Sequence, residues 1–117
     1  MKFKIKEFVD EKYIKAINIL KDNLKENYHI FYGVRLSEFL LPAGEYGSSD
    51  FFKDFELINS ISLPLVIYDT QERKVKMIVS FGDVLDKSLL DEAGFQVLVI
   101  TEFSELLKDD NLVLMYE

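Results

Sequence analysis

Two apolar runs separated by a short polar segment give the clearest structural signal in this chain. Residues 65–68 and 75–81 are rich in β-branched and aromatic side chains, and residues 69–74 between them are polar. Such runs favour strands, and a short polar connection joins antiparallel neighbours as a hairpin. The chain is therefore expected to contain a β-sheet built around this hairpin.

Helical periodicity occurs on both sides of the hairpin. Asp10 is expected to cap a helix that runs to about residue 27. Asp83 is expected to cap a second helix through about residue 92, with Gly94 as its left-handed stop, and residues 95–100 then read as a buried strand. The apolar face of the first helix has steps of three and four residues: Val9, Tyr13, Ile17, Leu20 and Leu24.

The remaining segments complete one sheet. Strands are predicted over 28–36, 52–58 and 112–116, the second from the alternation of Phe55 and Leu57 with Asp54 and Glu56. Ser37 is expected to cap a short helical turn over 38–41, residues 43–50 read as a flexible loop, and a last helix is expected over 102–108. The prediction is an α/β fold, a single mixed β-sheet flanked by helices, in one domain spanning residues 1–117.

Composition narrows the class of protein. The chain has 117 residues, 49% of them hydrophobic, which is enough for one core. It has no cysteine, so a disulfide, a thiolate metal site and a cysteine nucleophile are all excluded, and a reducing compartment is expected. No apolar run reaches the length of a signal peptide or a membrane span, so we expect a soluble, cytoplasmic protein without a membrane partner.

The net charge of −7 favours one class of binding partner over another. Phosphate binding draws most of its energy from clustered lysine and arginine, so the charge disfavours nucleic acid and favours a protein partner. Lys2, Lys4 and Lys6 form either a local basic patch or, as we expect, the lysine-protected edge of a strand.

Four segments in order resemble an uncharacterised bacterial family with a restriction-endonuclease-like fold. The run 28–40, with Val34-Arg35-Leu36 at its centre, is similar to the opening of that family. Residues 53–58 look like its block of Asp-Phe followed by an apolar strand, a later apolar strand takes the place of its third block, and residues 86–100 are similar to its ending. The resemblance spans roughly residues 11–100.

The resemblance implies a metal site that lacks the second of its two acidic ligands. In such nucleases an acid on the second strand and another on the third hold the divalent ion that activates water. Asp54 carries over as the first acid, although a strand carboxylate more often faces solvent or pairs with a basic neighbour such as Lys53. Ser80 stands at the second position and Gly82 beyond it in one alignment, and Tyr68 takes the second position in the other; both alignments stay open.

A single carboxylate is too weak a Mg²⁺ site for catalysis. We therefore expect no catalytic residue and no cofactor, and a non-catalytic binding protein that acts as an accessory or inhibitory factor of a bacterial or mobile-element system. Two alternatives remain. One is a Mg²⁺-dependent nuclease whose second acid has moved to Asp69, Glu72 or Asp83, and the other is a nucleic-acid-binding module.

Three residues are the candidate binding positions. Arg35 either contacts a phosphate or a partner carboxylate, or bridges to Glu38. Tyr46 and Phe51, with Phe52 beside them, form either an exposed aromatic anchor or, more commonly in proteins, core residues at the end of a loop.

Other residues that can carry chemistry have simpler interpretations. The sole histidine, His29, is expected to be partly buried on its strand. The loop over 44–49 lacks the Gly-Lys signature of a phosphate cradle. Two acidic groups, around 83–92 and 102–117, present either a negative face to a basic protein or, as charge runs usually do, a solvated surface.

Overall fold

The computed structural model describes residues 1–82 and 86–117. This part of the chain contains four helices, four strands and two 3-10 turns at Leu36–Glu38 and Phe103–Leu107. In chain order the elements are α1 (Glu11–Asn23), β1 (Tyr28–Arg35), α2 (Ser49–Ser60), β2 (Ser62–Asp69), β3 (Lys74–Phe81), α3 (Lys87–Glu92), β4 (Val97–Ile100) and α4 (Asp110–Val113).

One mixed sheet organises the molecule. The strands lie in the order β1-β2-β3-β4; β2 pairs antiparallel with both β1 and β3, and β4 pairs parallel with β3. A hairpin joins β2 to β3, as predicted. The parallel pairing of β3 and β4 requires a crossover connection, and α3 lies in it. The expected α/β architecture with a single mixed sheet is confirmed.

The sheet has a hydrophobic cluster on each face. One cluster joins α1 and the chain after β4 to the sheet, and the other joins α2 and α3 to the opposite face. Neighbouring residues of β2 alternate between the clusters, with Leu65 and Ile67 on the α1 side and Val66 on the α2 side. The molecule is therefore three layers thick, with the sheet in the middle.

Helix α1 forms for the reasons that the sequence indicates. The side chain of Asp10 accepts a hydrogen bond from the backbone N–H of Lys12 and caps the helix. Tyr13, Ala16 and Leu20 are buried against the sheet. The helix ends at Asn23, four residues before the predicted end, because Leu24 is extended and bridges to Tyr116.

The predicted strand over 52–58 is wrong, because this segment lies within α2. Ser48 caps the helix, its Oγ accepting a hydrogen bond from the N–H of Phe51 at 3.1 Å. Phe51, Phe55 and Ile58 recur at helical steps and turn inward. Of the loop predicted over 43–50, Ser49 and Asp50 belong to this helix.

The predicted strand over 112–116 is also wrong. Asp109 accepts a hydrogen bond from the N–H of Leu112 at 2.9 Å and caps α4. Leu112 and Met115, three residues apart, are buried together, so the apolar residues here follow helical spacing. Only the bridge from Tyr116 to Leu24 is β-like in this described end of the chain.

The predictions for the shorter helices and for the helix ends have different outcomes. The helix predicted over 102–108 is the 3-10 turn Phe103–Leu107, and Gly94, with φ of +87°, follows α3 as the left-handed stop. Ser37 caps nothing, because its hydroxyl donates to Asn59 Oδ1 at 2.8 Å and the 3-10 turn begins one residue earlier. The capping role of Asp83 falls outside the described residues.

Residues 1–8 form neither helix nor strand, and their side chains are exposed. Lys2, Lys4 and Lys6 therefore do not protect a strand edge within this chain. The strand-edge interpretation of these lysines is wrong.

Candidate interaction surface

Two aromatic side chains stand exposed at the start of α2. Tyr46 is 81% exposed and Phe52 is 50% exposed, whereas Phe51 beside them is 8% exposed. The ring centroid of Phe51 lies 5.1 Å from that of Tyr46 and 5.7 Å from that of Phe52, both in edge-to-face geometry. Phe51 also stacks on Phe55, at 6.4 Å. The two outer rings are thus held on a buried ring, and we call Tyr46 and Phe52 the aromatic pair.

The local sequence explains this arrangement. Because Ser48 starts the helix, Phe51 and Phe55 fall on the inward face one turn apart, and Phe52 falls beside them on the outer side. Tyr46 lies just before the cap and folds over the first turn. The favoured core interpretation is right for Phe51 and wrong for Tyr46 and Phe52, which have the exposure that an anchor requires.

Arg35 occupies a separate position at the end of β1. Its side chain is exposed and lines a shallow groove of about 520 Å³ with Phe31, Val34, Glu38 and Phe39. No ion pair joins Arg35 to Glu38 or to another acid in the part of the chain that the structure describes. The bridge to Glu38 is therefore absent there, and the guanidinium is available to an outside carboxylate or phosphate.

Asp54 lies on the outer face of α2 and is exposed. Its predicted position on a strand is wrong, although its expected exposure to solvent is right. Asp54 and Lys53 form no ion pair within the described residues. The resemblance implied that Asp54 lies on a strand of the sheet, whereas its carboxylate lies on an exposed helical turn outside the sheet.

The proposed replacement acids are engaged in structural contacts. Asp69 is buried at the end of β2 and accepts three hydrogen bonds in the hairpin turn. Glu72 lies 3.1 Å from Lys74 Nζ and 2.6 Å from Lys76 Nζ, and hydrogen bonds from Lys76 and then Lys74 lower the pKa of its carboxyl. Asp83 falls outside the described residues.

The positions aligned with the missing acid are part of the sheet. Ser80 is buried on β3 and pairs in register with Val99. Gly82 donates its N–H to the carbonyl of Ile100 at 3.0 Å and so extends the pairing of β3 with β4. Tyr68 is half-buried on β2, with its ring centroid 6.2 Å from Phe31 and 6.1 Å from Phe39.

His29 is exposed on β1, which corrects the expectation of partial burial. Its ring centroid lies 4.9 Å from that of Phe31, two residues along on the same side of the strand. Within residues 1–82 and 86–117, no group of three or more histidine and acidic side chains is placed to hold a metal ion.

Some of the acidic residues serve as helix caps. Glu105 accepts hydrogen bonds from the N–H groups of Thr101 at 2.6 Å and Glu102 at 2.8 Å, and these bonds lower the pKa of its carboxyl. Asp109 caps α4, and Asp91 pairs with Lys87 at 2.9 Å. Asp86, Glu92, Glu102, Asp110 and Glu117 are exposed and leave an acidic surface around these structural carboxylates.

Sequence reasoning named Tyr46 and Phe52 as a possible anchor but favoured core positions for them, and it missed two further features. One is the helix that carries Phe52, whose signal was the cap residue Ser48 followed by apolar residues at helical steps. The other is the exposed apolar segment at residues 1–5, whose signal was strict alternation with lysine. Both signals are present in the sequence.

None of the helices in residues 1–82 and 86–117 combines the length and apolar character that crossing a bilayer requires.

Comparisons with known proteins add no assignment to this geometry. Comparison with protein-family models, with curated proteins and with solved structures found no significant match to this chain.

Proposed function

We propose that this chain is a non-catalytic binding protein that acts through contact with another protein. The observation that carries the proposal is the aromatic pair, Tyr46 and Phe52, exposed side by side on the buried ring of Phe51. Adjacent exposed rings on a rigid base are typical of protein interaction sites, where aromatic side chains contribute a large share of the binding energy. Because Phe51 already fixes the rings, little conformational entropy is lost on binding.

The charge of the chain defines the chemistry of the partner. With a net charge of −7, the surface complements a basic protein such as one that handles nucleic acid. An acidic protein that occupies such a basic site acts as an accessory or inhibitory factor, and we place this role in a bacterial or mobile-element system.

A degenerate restriction-endonuclease-like scaffold is the second part of the proposal. The single mixed sheet with helices on both faces is the class of architecture that the resemblance implies. The helical position of Asp54 weakens one of the four similar segments, so the resemblance rests mainly on the other three. A scaffold of this kind without its pair of acids supports binding rather than hydrolysis.

The direct test is capture of the partner with tagged wild-type protein from bacterial lysate, with and without nuclease treatment. We expect a partner that survives nuclease treatment and is lost with the double variant Tyr46→Ser/Phe52→Ser. The matched control is Leu107→Ser/Leu114→Ser, which removes two exposed apolar side chains, 55% and 74% exposed, from the other side of the sheet. Enrichment that vanishes with nuclease, or that is equal for both variants, would overturn the proposal.

A nicking assay separates this proposal from the nuclease alternative. We expect no cleavage of supercoiled plasmid in Mg²⁺ or Mn²⁺, by the wild type or by Asp54→Ala. Metal-dependent nicking by the wild type that disappears in Asp54→Ala would establish a catalytic role for Asp54 and contradict the binding proposal.

A further inference from the structure

Residues 1–7, which we call the arm, have the pattern of a strand without a partner. Phe3 and Ile5 are 87% and 98% exposed, and they alternate with Lys2, Lys4 and Lys6. Strict alternation of apolar and charged residues is typical of a strand with one buried face. The arm makes no such pairing in this structure, so its apolar side chains lie in water.

Strand β1 offers an open edge of the sheet. It pairs with β2 on one side, and no other strand of the described chain lies on its other side. The N–H of Thr70 donates to the carbonyl of Asn27 at 2.9 Å, so these two residues form a hydrogen-bonded pair just before β1. Hydrogen-bonded and non-hydrogen-bonded pairs alternate along an antiparallel ladder. It follows that the backbone N–H and C=O groups of Ile30 and Tyr32 point away from β2, toward the open edge.

A groove runs beside this edge, between β1 and α1. Its volume is about 420 Å³, and more of its surface is apolar than polar. It is lined by Ile30 and Tyr32 of β1, by Ile17 and Lys21 of α1, and by Leu24, Lys25 and Glu26 of the chain that follows α1. A strand added to β1 would place every second side chain in this groove.

We propose that the arm of a second copy of this chain adds to the open edge of β1 as a fifth strand. Phe3 and Ile5 of the added arm enter the groove, and Lys2, Lys4 and Lys6 face the opposite side of the sheet. Reciprocal exchange of the two arms gives a symmetric dimer, in which each edge is covered once.

The position of the arm favours exchange over docking within one copy. The ring of Phe8 lies 5.2 Å from that of Tyr32 and holds the base of the arm beside its own β1, yet Phe3 and Ile5 remain exposed and residues 1–7 form no strand with it.

The exposed area is large enough for such an interface. The accessible surface of this chain is 8301 Å², whereas a compact monomer of the same mass exposes about 6,600 Å². The excess is about twice the roughly 800 Å² that each partner buries in a complex of standard size. The extended arm, with Phe3 and Ile5 exposed, contributes to this excess, and exchange would bury these two side chains.

Sedimentation of the full chain and of two double variants tests the inference. We expect a wild-type dimer at micromolar concentration and at least about a 100-fold weaker dimer for Phe3→Asp/Ile5→Asp, because two buried apolar side chains are lost. The control Leu41→Asp/Leu57→Asp changes two exposed apolar side chains next to the cluster on the opposite face of the sheet, and it should dimerise like the wild type. Exchange of the Ile30 and Tyr32 amides with deuterium should be slow in the wild type and fast in Phe3→Asp/Ile5→Asp.

The outcomes separate the alternatives. A dimer that depends on Phe3 and Ile5 and protects the two β1 amides supports the exchange. A wild-type monomer would overturn it, even where the arm protects those amides, because the arm would then dock on its own copy. A dimer that survives Phe3→Asp/Ile5→Asp would also overturn it, because another surface would hold the copies together.

Discussion

The carboxylate of Asp69 is the buried charge on which the β2–β3 turn depends. Its Oδ1 accepts hydrogen bonds from the side-chain amide of Asn27 at 3.2 Å and from the N–H groups of Gln71 and Glu72 at 2.9 and 3.2 Å. Burial raises the pKa of this carboxyl, but the hydrogen bonds together lower it further, so the pKa lies below its ordinary value of 3.8. The turn therefore holds the ionised form.

This lowered pKa predicts a pH dependence of stability. The contribution of Asp69 is complete above its unfolded-state pKa and is lost as the pH falls through its lower folded-state pKa. We expect the melting temperature of the wild type to fall more steeply than that of Asp69→Asn between about pH 5 and about pH 2, because asparagine keeps an accepting oxygen without a proton to gain. Calorimetry at a series of pH values measures this. Parallel curves for the two proteins would contradict it.

Gly33 carries a second residue-level prediction. Its φ is +67°, and Tyr32 and Val34 on its two sides pack in clusters on opposite faces of the sheet, so the strand changes face here. An added Cβ would lie 3.6 Å from the ring of Phe8, which is ordinary contact, so the cost is in the backbone. We expect Gly33→Ala to lower the free energy of unfolding by about 1–2 kcal/mol.

Urea denaturation measures this cost, and Gly44 supplies the control. A Cβ at Gly44 meets nothing within 4 Å, and the backbone there does not have a positive φ. Gly44→Ala should therefore change stability by less than about 0.5 kcal/mol. Equal effects at the two glycines would argue against a strained backbone at Gly33.

At the scale of elements, α2 shows why a short apolar segment is hard to assign. Phe55 and Leu57 alternate with Glu56 as in a strand, yet Phe51, Phe55 and Ile58 also follow helical steps. Periodicity in a short run does not separate the two, and the cap at Ser48 together with the twelve-residue length decides for the helix. The strand prediction over 112–116 is wrong for the same reason, whereas α1 has a longer helical pattern and the β2–β3 hairpin has a polar turn between two apolar runs.

The cap of α2 is itself testable. Ser48 Oγ accepts from the N–H of Phe51 and donates to the carbonyl of Glu45 at 2.7 Å, so it joins the loop to the first turn. We expect Ser48→Ala to lower the free energy of unfolding by about 1 kcal/mol, measured by urea denaturation. Ser49→Ala, one residue into the helix, is the control and should have little effect. A larger loss at Ser49 than at Ser48 would place the start of the helix elsewhere.

At the scale of the whole molecule, the sequence predicts the sheet better than the surface. Alternation and apolar runs report burial, so they identify the hairpin and the single mixed sheet. The availability of Arg35 depends on how the chain after β1 packs against the sheet, which no local pattern encodes. The open edge of β1 likewise follows only from the strand order.

The central claim is that the aromatic pair binds a protein, and the affinity of the captured partner tests it most directly. Titration calorimetry with the purified partner should give a dissociation constant at least about 100-fold larger for Tyr46→Ser/Phe52→Ser than for the wild type, since two anchoring rings are lost. Leu107→Ser/Leu114→Ser should bind within about twofold of the wild type. Equal affinities for the wild type and Tyr46→Ser/Phe52→Ser would contradict the account and place the binding surface elsewhere.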